Sequence, residues 1–128
     1  MKSVLIIEDY DNIKNLYVDA FVRAGYEVET AGSGNAGLTK TAQREYDVII
    51  LDMLMLELSG LDFLKAFDAP KHPKTMIVVT SNLNSENIIE KATALGATKY
   101  LIKADYTPQE IVAVVEATSA GEKSEENL

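Results

Sequence analysis

A chain of 128 residues, 47% of them hydrophobic and 25% charged, has the size and composition of one ordinary globular domain. With no cysteine and a single histidine, His72, disulfides, thiolate metal centres, zinc clusters and histidine-based triads are excluded. A formal net charge of −8 argues against direct nucleic-acid binding, which needs clustered Lys and Arg, although acidity is also what keeps many chains soluble.

The first apolar run, Val4-Leu5-Ile6-Ile7, is halted by Glu8-Asp9. It is too short for a signal-peptide core or a membrane span, so a cytoplasmic protein with no membrane contact is expected. Its lack of alternation suits a strand covered on both faces. Ile13, Leu16, Tyr17, Ala20, Phe21 and Ala24 then follow the i, i+3, i+4, i+7 spacing of an amphipathic helix, which Gly25 ends. Residues 26–31, with Val28 between two glutamates, read as a weaker strand suited to a sheet edge, and 35–44 as a short helix. Asp47-Val48-Ile49-Ile50-Leu51 is the third and most continuous strand. It runs into Asp52 and then a loop rich in apolar residues, Met53, Leu54, Met55, Leu56 and Leu58. Some of these are expected to pack inward and the remainder to meet a partner.

A helix over 61–67 ends before a loop holding Pro70 and Pro73, in which His72 reads as solvated. Met76-Ile77-Val78-Val79 is the fourth strand, followed by Thr80 and Ser81. Asn84 is the predicted N-cap of a helix through Ile88, Ile89, Ala92 and Leu95 that Gly96 ends. Residues 97–102 form the fifth strand and lead into Lys103. Thr107-Pro108-Gln109-Glu110 is a capping box with proline at the first helical position. Its helix runs to about residue 119 through Ile111, Val112 and Val115, an apolar stretch that reads as core, with a partner-binding strip as the alternative. Residues 121–128 read as a polar, disordered tail, which leaves one domain over 1–120.

Strand and helix alternate five times, which predicts an α/β fold with a parallel sheet and helices on both faces. Chemistry in such sheets gathers at the carboxyl ends of the strands. There the chain places Glu8 and Asp9, Asp52, Thr80 and Ser81, and Lys103. Crowded carboxylates repel one another, and a hard divalent cation such as Mg²⁺, which takes oxygen ligands, relieves that repulsion. Mg²⁺ and a lysine beside a free carboxylate oxygen suit an incoming phosphoryl group, whose transfer needs mainly positioning and charge neutralisation. Aspartate can serve as the nucleophile. Taken singly, each residue has a plainer reading: an Asp at a strand end forms turns or caps helices, Glu8-Asp9 can cap the following helix, and Lys103 alone is a solvated charge. The joint arrangement at four strand ends favours the functional reading.

This set resembles the receiver domain of bacterial-type response regulators, the CheY-like superfamily, over residues 2 to about 119. The matching features are the acidic pair Glu8-Asp9, Asp52 closing Val48-Ile49-Ile50-Leu51, Thr80 closing the fourth strand, Tyr100-Leu101-Ile102-Lys103 in the fifth, Gly60, and Gly96-Ala97. The resemblance implies a flavodoxin-like (βα)5 three-layer sandwich with strand order 2-1-3-4-5. It implies that Asp52 accepts a phosphoryl group from a phosphohistidine on a sensor histidine kinase or phosphotransfer protein. Asp9, Asp52 and the backbone carbonyl of Leu54 would hold Mg²⁺, with Glu8 assisting. Lys103 would contact the phosphoryl oxygens, with the Thr80 and Ser81 hydroxyls facing the same crevice. Thr80 would swing toward the phosphoryl group and Tyr100 would turn inward behind it, reshaping the face made by the fourth helix, fifth strand and fifth helix. Such a domain is a signalling switch that assists its own phosphorylation and dephosphorylation rather than an enzyme. Its partners are a kinase and a downstream protein target or output domain, with a phosphorylation-dependent homodimer as a further option.

Two positions depart from the family pattern. Leu56 stands where proline is common, and Ala104 follows Lys103 where a proline, often cis, is common. A non-proline cis bond costs roughly 3–4 kcal/mol, so a trans Lys103–Ala104 bond is expected. These departures motivate an alternative, a pseudo-receiver acting as a phosphorylation-independent interaction module. A small aspartyl-phosphate hydrolase is a third reading, disfavoured because Leu54 occupies the position where such enzymes carry a second Asp. No output domain is legible after residue 120, so the chain is expected either to act by contacts alone or to be part of a longer protein.

Overall fold

Each predicted run becomes the expected element in the computed structural model, which describes the backbone of residues 1–126 and side chains through residue 119. The strands are β1 (Ser3–Ile7), β2 (Glu27–Ala31), β3 (Val48–Asp52), β4 (Met76–Ser81) and β5 (Lys99–Ile102). The helices are α1 (Asp11–Arg23), α2 (Gly34–Gln43), α3 (Gly60–Phe67), α4 (Glu86–Ala94) and α5 (Pro108–Glu126). All strand pairs are parallel, in the order β2-β1-β3-β4-β5. This is the flavodoxin-like order, with three layers. Every residue of β1, β3 and β4 is buried, as continuous apolar runs demand when helices cover both faces. β2 and β5 are the partly exposed edges.

Two separate cores follow from the alternation of side chains along each strand. Val4, Ile6, Val48, Ile50, Met76, Val78 and Leu101 pack with Tyr17, Ala20 and Phe21 of α1 and Ile111, Val112 and Val115 of α5. The intervening residues, among them Leu5, Ile7, Ile49, Leu51, Ile77 and Val79, pack beneath α2, α3 and α4 with Phe63, Leu64, Phe67 and Ala92. Each such side chain contributes about 1.5–3 kcal/mol by leaving water. The apolar stretch of α5 is therefore core rather than an exposed strip.

Helix ends follow the chain's polar residues. Ser33 and Ser59 accept from the Ala36 and Asp62 amides at 3.1 and 3.2 Å. The Thr107/Glu110 box closes in both directions, at 2.9 and 3.1 Å. Gly96 ends α4 at φ 106°, a left-handed conformation that costs glycine little.

Four local expectations are corrected. Ser85, not Asn84, occupies the N-cap position of α4, and its side chain makes no cap bond, so backbone bonding such as Ile89 N–H to the Ser85 carbonyl holds that first turn. Leu16 is 59% exposed, because the buried stripe of α1 is centred on Tyr17 and Phe21 and Leu16 falls beyond its border. His72 is not simply solvated: its ring stacks on Phe67 at 4.1 Å between centroids, and Nδ1 lies 2.7 Å from Glu45 Oε1. The backbone of α5 continues past residue 119 to Glu126, consistent with the helix-forming Glu and Lys residues there. The last two residues of the expected tail, Asn127 and Leu128, lie outside the described residues. Among those described, no helix is long and apolar enough to cross a membrane.

Candidate functional site

Strand alternation decides which side chains meet. Ile6, Ile50, Val78 and Leu101 all point toward α1 and α5. Two residues further along each chain stand Glu8, Asp52, Thr80 and Lys103, which the period of two carries to the same side at the carboxyl edge of the sheet. Asp52 and Thr80 are direct partners in the β3–β4 register. Four chain segments distant in sequence thus deliver two carboxylates, a hydroxyl and an ammonium to one place.

The distances confirm the grouping. Lys103 Nζ lies 2.8 Å from Glu8 Oε1 and 3.2 Å from Asp52 Oδ1. Glu8, Asp52 and Thr80 are 1%, 3% and 1% exposed. Among the described residues no peptide bond is cis, so Lys103–Ala104 is trans as expected. Lys103 opens a short 3₁₀ turn over Lys103–Asp105 and still spans the crevice.

Burial and crowding set the protonation pattern. Asp52 is pushed up to about 7, first by burial and then by Glu8, against the pull of Lys103. Burial would lift Glu8 as well, but its bonds to Lys103 and to Asp52 outweigh that and hold it below the usual carboxylate range. Lys103 loses hydration yet is held above the ordinary lysine range by the two carboxylates. Burial and crowding therefore raise Asp52, while the ammonium seated against Glu8 holds that carboxylate ionised.

The arrangement fits a hard divalent cation. One carboxylate oxygen each from Glu8, Asp9 and Asp52 lie within 4.8 Å of one another. Asp9 Oδ1 is buried without a hydrogen-bond partner, while its Oδ2 accepts from the Leu56 amide at 3.3 Å. A buried, unpartnered carboxylate oxygen is costly unless something positive meets it. Oxygen donors without thiolate or imidazole favour Mg²⁺ or Ca²⁺ over softer metals.

A cavity of about 330 Å³ opens over these groups, lined by Asp9, Tyr10, Asp52, Leu54, Leu56 and Lys103 among others. Of the apolar loop after Asp52, Met53 is buried, whereas Leu54 and Leu56 are exposed at the cavity rim. Leu54 N–H reaches back to Asp52 Oδ1 at 3.3 Å. The loop is pinned by Gly60, whose N–H donates to the Met53 carbonyl at 2.9 Å. A Cβ there would come within 2.8 Å of Met53 Cα.

Two predicted residues behave differently from the cluster. Ser81 alternates to the opposite side of β4 from Thr80, and its Oγ accepts from the Leu83 amide at 3.0 Å. Tyr100 packs on the α4 side and its hydroxyl donates to the Leu83 carbonyl at 2.8 Å. Leu83 is thus held from both ends. Leu83 and Tyr10 carry no chemical signal in the sequence. Their only mark is position, since Leu83 follows the fourth strand and Tyr10 the first, whereas Asn82, two residues after Thr80, stands where the resemblance implies an influence on water at the phosphoryl group and does line the cavity.

The family profile described as response regulator receiver domain matches residues 4–116. The chain is 32% identical over 116 residues to the transcriptional regulatory protein PcoR of Escherichia coli, covering 90% of this chain and 50% of that protein. It is 27% identical over 119 residues to the chemotaxis protein CheY of Thermotoga maritima, covering 92% and 98%. Among solved structures, Vibrio cholerae chemotaxis protein CheY4 superposes with a TM-score of 0.84 at 30% identity, covering 91% of this chain and 98% of that one. The chain spans about half or less of the length of several curated relatives it matches.

Proposed function

The chain belongs to the response regulator receiver domain family, and from that premise we propose that Asp52 accepts a phosphoryl group from a phosphohistidine of a sensor histidine kinase or phosphotransfer protein. The observation that carries this reading is the seat of Lys103, bridging Glu8 and Asp52 at 2.8 and 3.2 Å beneath an open cavity. In the transfer the N–P bond of the donor breaks as an O–P bond forms to a carboxylate oxygen of Asp52, and the imidazole leaves with the bonding pair. Lys103 neutralises charge on the phosphoryl oxygens.

Asp9, Asp52 and the Leu54 carbonyl would hold Mg²⁺, with Glu8 assisting. The ion supplies positive charge for the three carboxylates and the phosphoryl oxygens. The same residues would make the domain a participant in its own phosphorylation and dephosphorylation. The pseudo-receiver alternative gains no support, because Glu8, Asp9, Asp52, Thr80 and Lys103 are all present at one sheet edge. We place the protein in the cytoplasm, with a downstream protein target or output domain, or a second phosphorylated copy, as the receiver of the signal.

The switch would start at Thr80. Its Oγ1 is buried without a hydrogen-bond partner, and a phosphoryl oxygen offers it a charge-assisted one. Thr80 and Tyr100 lie on opposite sides of the sheet, so the relay between them would run through the loop after β4, where Leu83 is bonded to both Ser81 and Tyr100. Inward rotation of Tyr100 would free the Leu83 carbonyl and reshape the α4-β5-α5 face. Moving such an equilibrium from 1:99 to 99:1 takes about 5.5 kcal/mol, and one charge-assisted bond supplies roughly 1.5–3 kcal/mol. Lys103 and Mg²⁺ contacts must add to Thr80.

The test is incubation with Mg²⁺ and acetyl phosphate, followed by mass spectrometry. A gain of one phosphoryl group in the wild type and none in Asp52→Ala is expected. Equal labelling of the variant would sink the assignment.

A further inference from the structure

Leu56 lies midway along the loop between β3 and α3. On either side of it the loop is fastened. Gly60 N–H donates to the Met53 carbonyl at 2.9 Å. Leu58 seats so closely on Gly34, at the start of α2, that a Cβ there would come within 2.8 Å of Leu58 Cβ. The Leu56 side chain is 96% exposed, so packing does little to hold this point of the loop. Its backbone amide does more: it donates to Asp9 Oδ2 at 3.3 Å, across 47 positions of sequence.

That bond gives the two oxygens of one carboxylate different roles. Oδ2 is engaged by the amide, while Oδ1 is buried without a partner. Asp9 also brings a carboxylate oxygen within 4.8 Å of oxygens of Glu8 and Asp52. An N–H bound to one oxygen restrains the rotation of the carboxylate and so the direction of the other. Leucine matters here through its backbone. Proline, common at this position in the family, has no N–H to donate.

We propose that the Leu56 amide is a positioning group for the cation site, turning Asp9 so that Oδ1 is left to meet Mg²⁺. This rests on the reading that Asp9 is a Mg²⁺ ligand. The coupling is reciprocal: whatever the bond adds to Mg²⁺ affinity, bound Mg²⁺ adds to the bond. The cation thereby steadies the loop that carries Leu54 and Leu56 to the cavity rim.

The experiment is a titration with Mg²⁺ alone, followed by the amide NMR shifts of Asp52 and Leu54. It compares the wild type, Leu56→Ala, Leu56→Pro and a semisynthetic protein with an ester in place of the Met55–Leu56 peptide bond. Leu56→Ala keeps the N–H and should bind Mg²⁺ as the wild type does. Leu56→Pro and the ester both lose the N–H, the ester without the constraint that proline puts on φ. Both should weaken Mg²⁺ binding by roughly tenfold, the lower end of what losing a hydrogen bond to a metal-binding group costs. Binding by the ester protein as tight as the wild type or tighter overturns the proposal and leaves Asp9 a ligand. So does an equal loss in Leu56→Ala. Failure of the wild type itself to respond to Mg²⁺ overturns the metal reading, and this proposal with it.

Discussion

Lys103 Nζ sits 2.8 Å from Glu8 Oε1 and only 3.2 Å from Asp52 Oδ1, so one ammonium serves two buried carboxylates and favours Glu8. That asymmetry leaves Asp52 as the carboxyl with the raised pKa and so the one that protonates more readily. It also makes Glu8 depend on Lys103 for the cost of burial.

Replacing the ammonium should therefore expose both roles. Lys103→Met leaves Glu8, 1% exposed, without its cation, and breaking a buried pair in this way costs about 3–5 kcal/mol. The loss, read by urea unfolding near neutral pH, should shrink in acid as Glu8 takes up a proton. Phosphorylation by acetyl phosphate should slow by roughly 10²-fold, the order expected for losing one preorganised charged donor. A variant as stable and as fast as the wild type would remove Lys103 from the site.

The protonation of Asp52 gives a pH dependence with a definite sign. Its folded pKa of about 7 lies above the unfolded value, so its favourable contribution is fully present below about pH 4 and is lost as pH rises through about 7. Without Mg²⁺, the melting temperature should fall between about pH 5 and pH 8, and Asp52→Asn should flatten that fall. Glu8 has the opposite sign: its contribution is lost only as pH drops through its lowered pKa, below this window. Added Mg²⁺ should stabilise more at the alkaline end, where no proton competes for Asp52. Equal slopes for the wild type and Asp52→Asn would contradict this assignment.

Leu54 stands two residues after the phosphoacceptor, 55% exposed on the cavity rim. An alkyl side chain there cannot orient a water toward an acyl phosphate. Slow self-dephosphorylation is expected, and Leu54→Asn should shorten the lifetime. Decay of phosphorylated Asp52 in the two proteins is the measurement, and identical lifetimes would show that Leu54 does not gate water.

The hold on Leu83 predicts where the switch is felt. Tyr100→Phe removes the 2.8 Å bond to the Leu83 carbonyl at a cost of about 0.5–1.5 kcal/mol. Its amide shifts should concentrate over residues 81–88. Thr80→Ala should still take up phosphate yet show reduced beryllofluoride-induced shifts over residues 84–119. Full-sized shifts in that variant would exclude Thr80 as the trigger.

Much of this was legible before any coordinates. Three runs, Val4-Leu5-Ile6-Ile7, Val48-Ile49-Ile50-Leu51 and Met76-Ile77-Val78-Val79, are apolar without interruption because both faces of a central parallel strand are covered, and with two weaker edge strands and the intervening helical patterns they declare the fold class. The polar residues ending them are conspicuous because they break those runs. Thr107 and Glu110 announce a helix start because a capping box is a local arrangement. Other matters needed the tertiary structure. Glu8 and Asp52 are both simple carboxylates in the sequence, and only the seat of Lys103 and their unequal surroundings shift the first down and the second up. Thr80 and Ser81 are adjacent hydroxyls, separated by which face of β4 each one takes. Leu16 and Tyr17 are neighbours on α1, yet the way α1 lies on the sheet exposes the first and buries the second in the core beneath α1 and α5. Burial, charge pairing and facing direction depend on contacts between segments distant in the chain. A linear sequence records the participants in those contacts but not their distances.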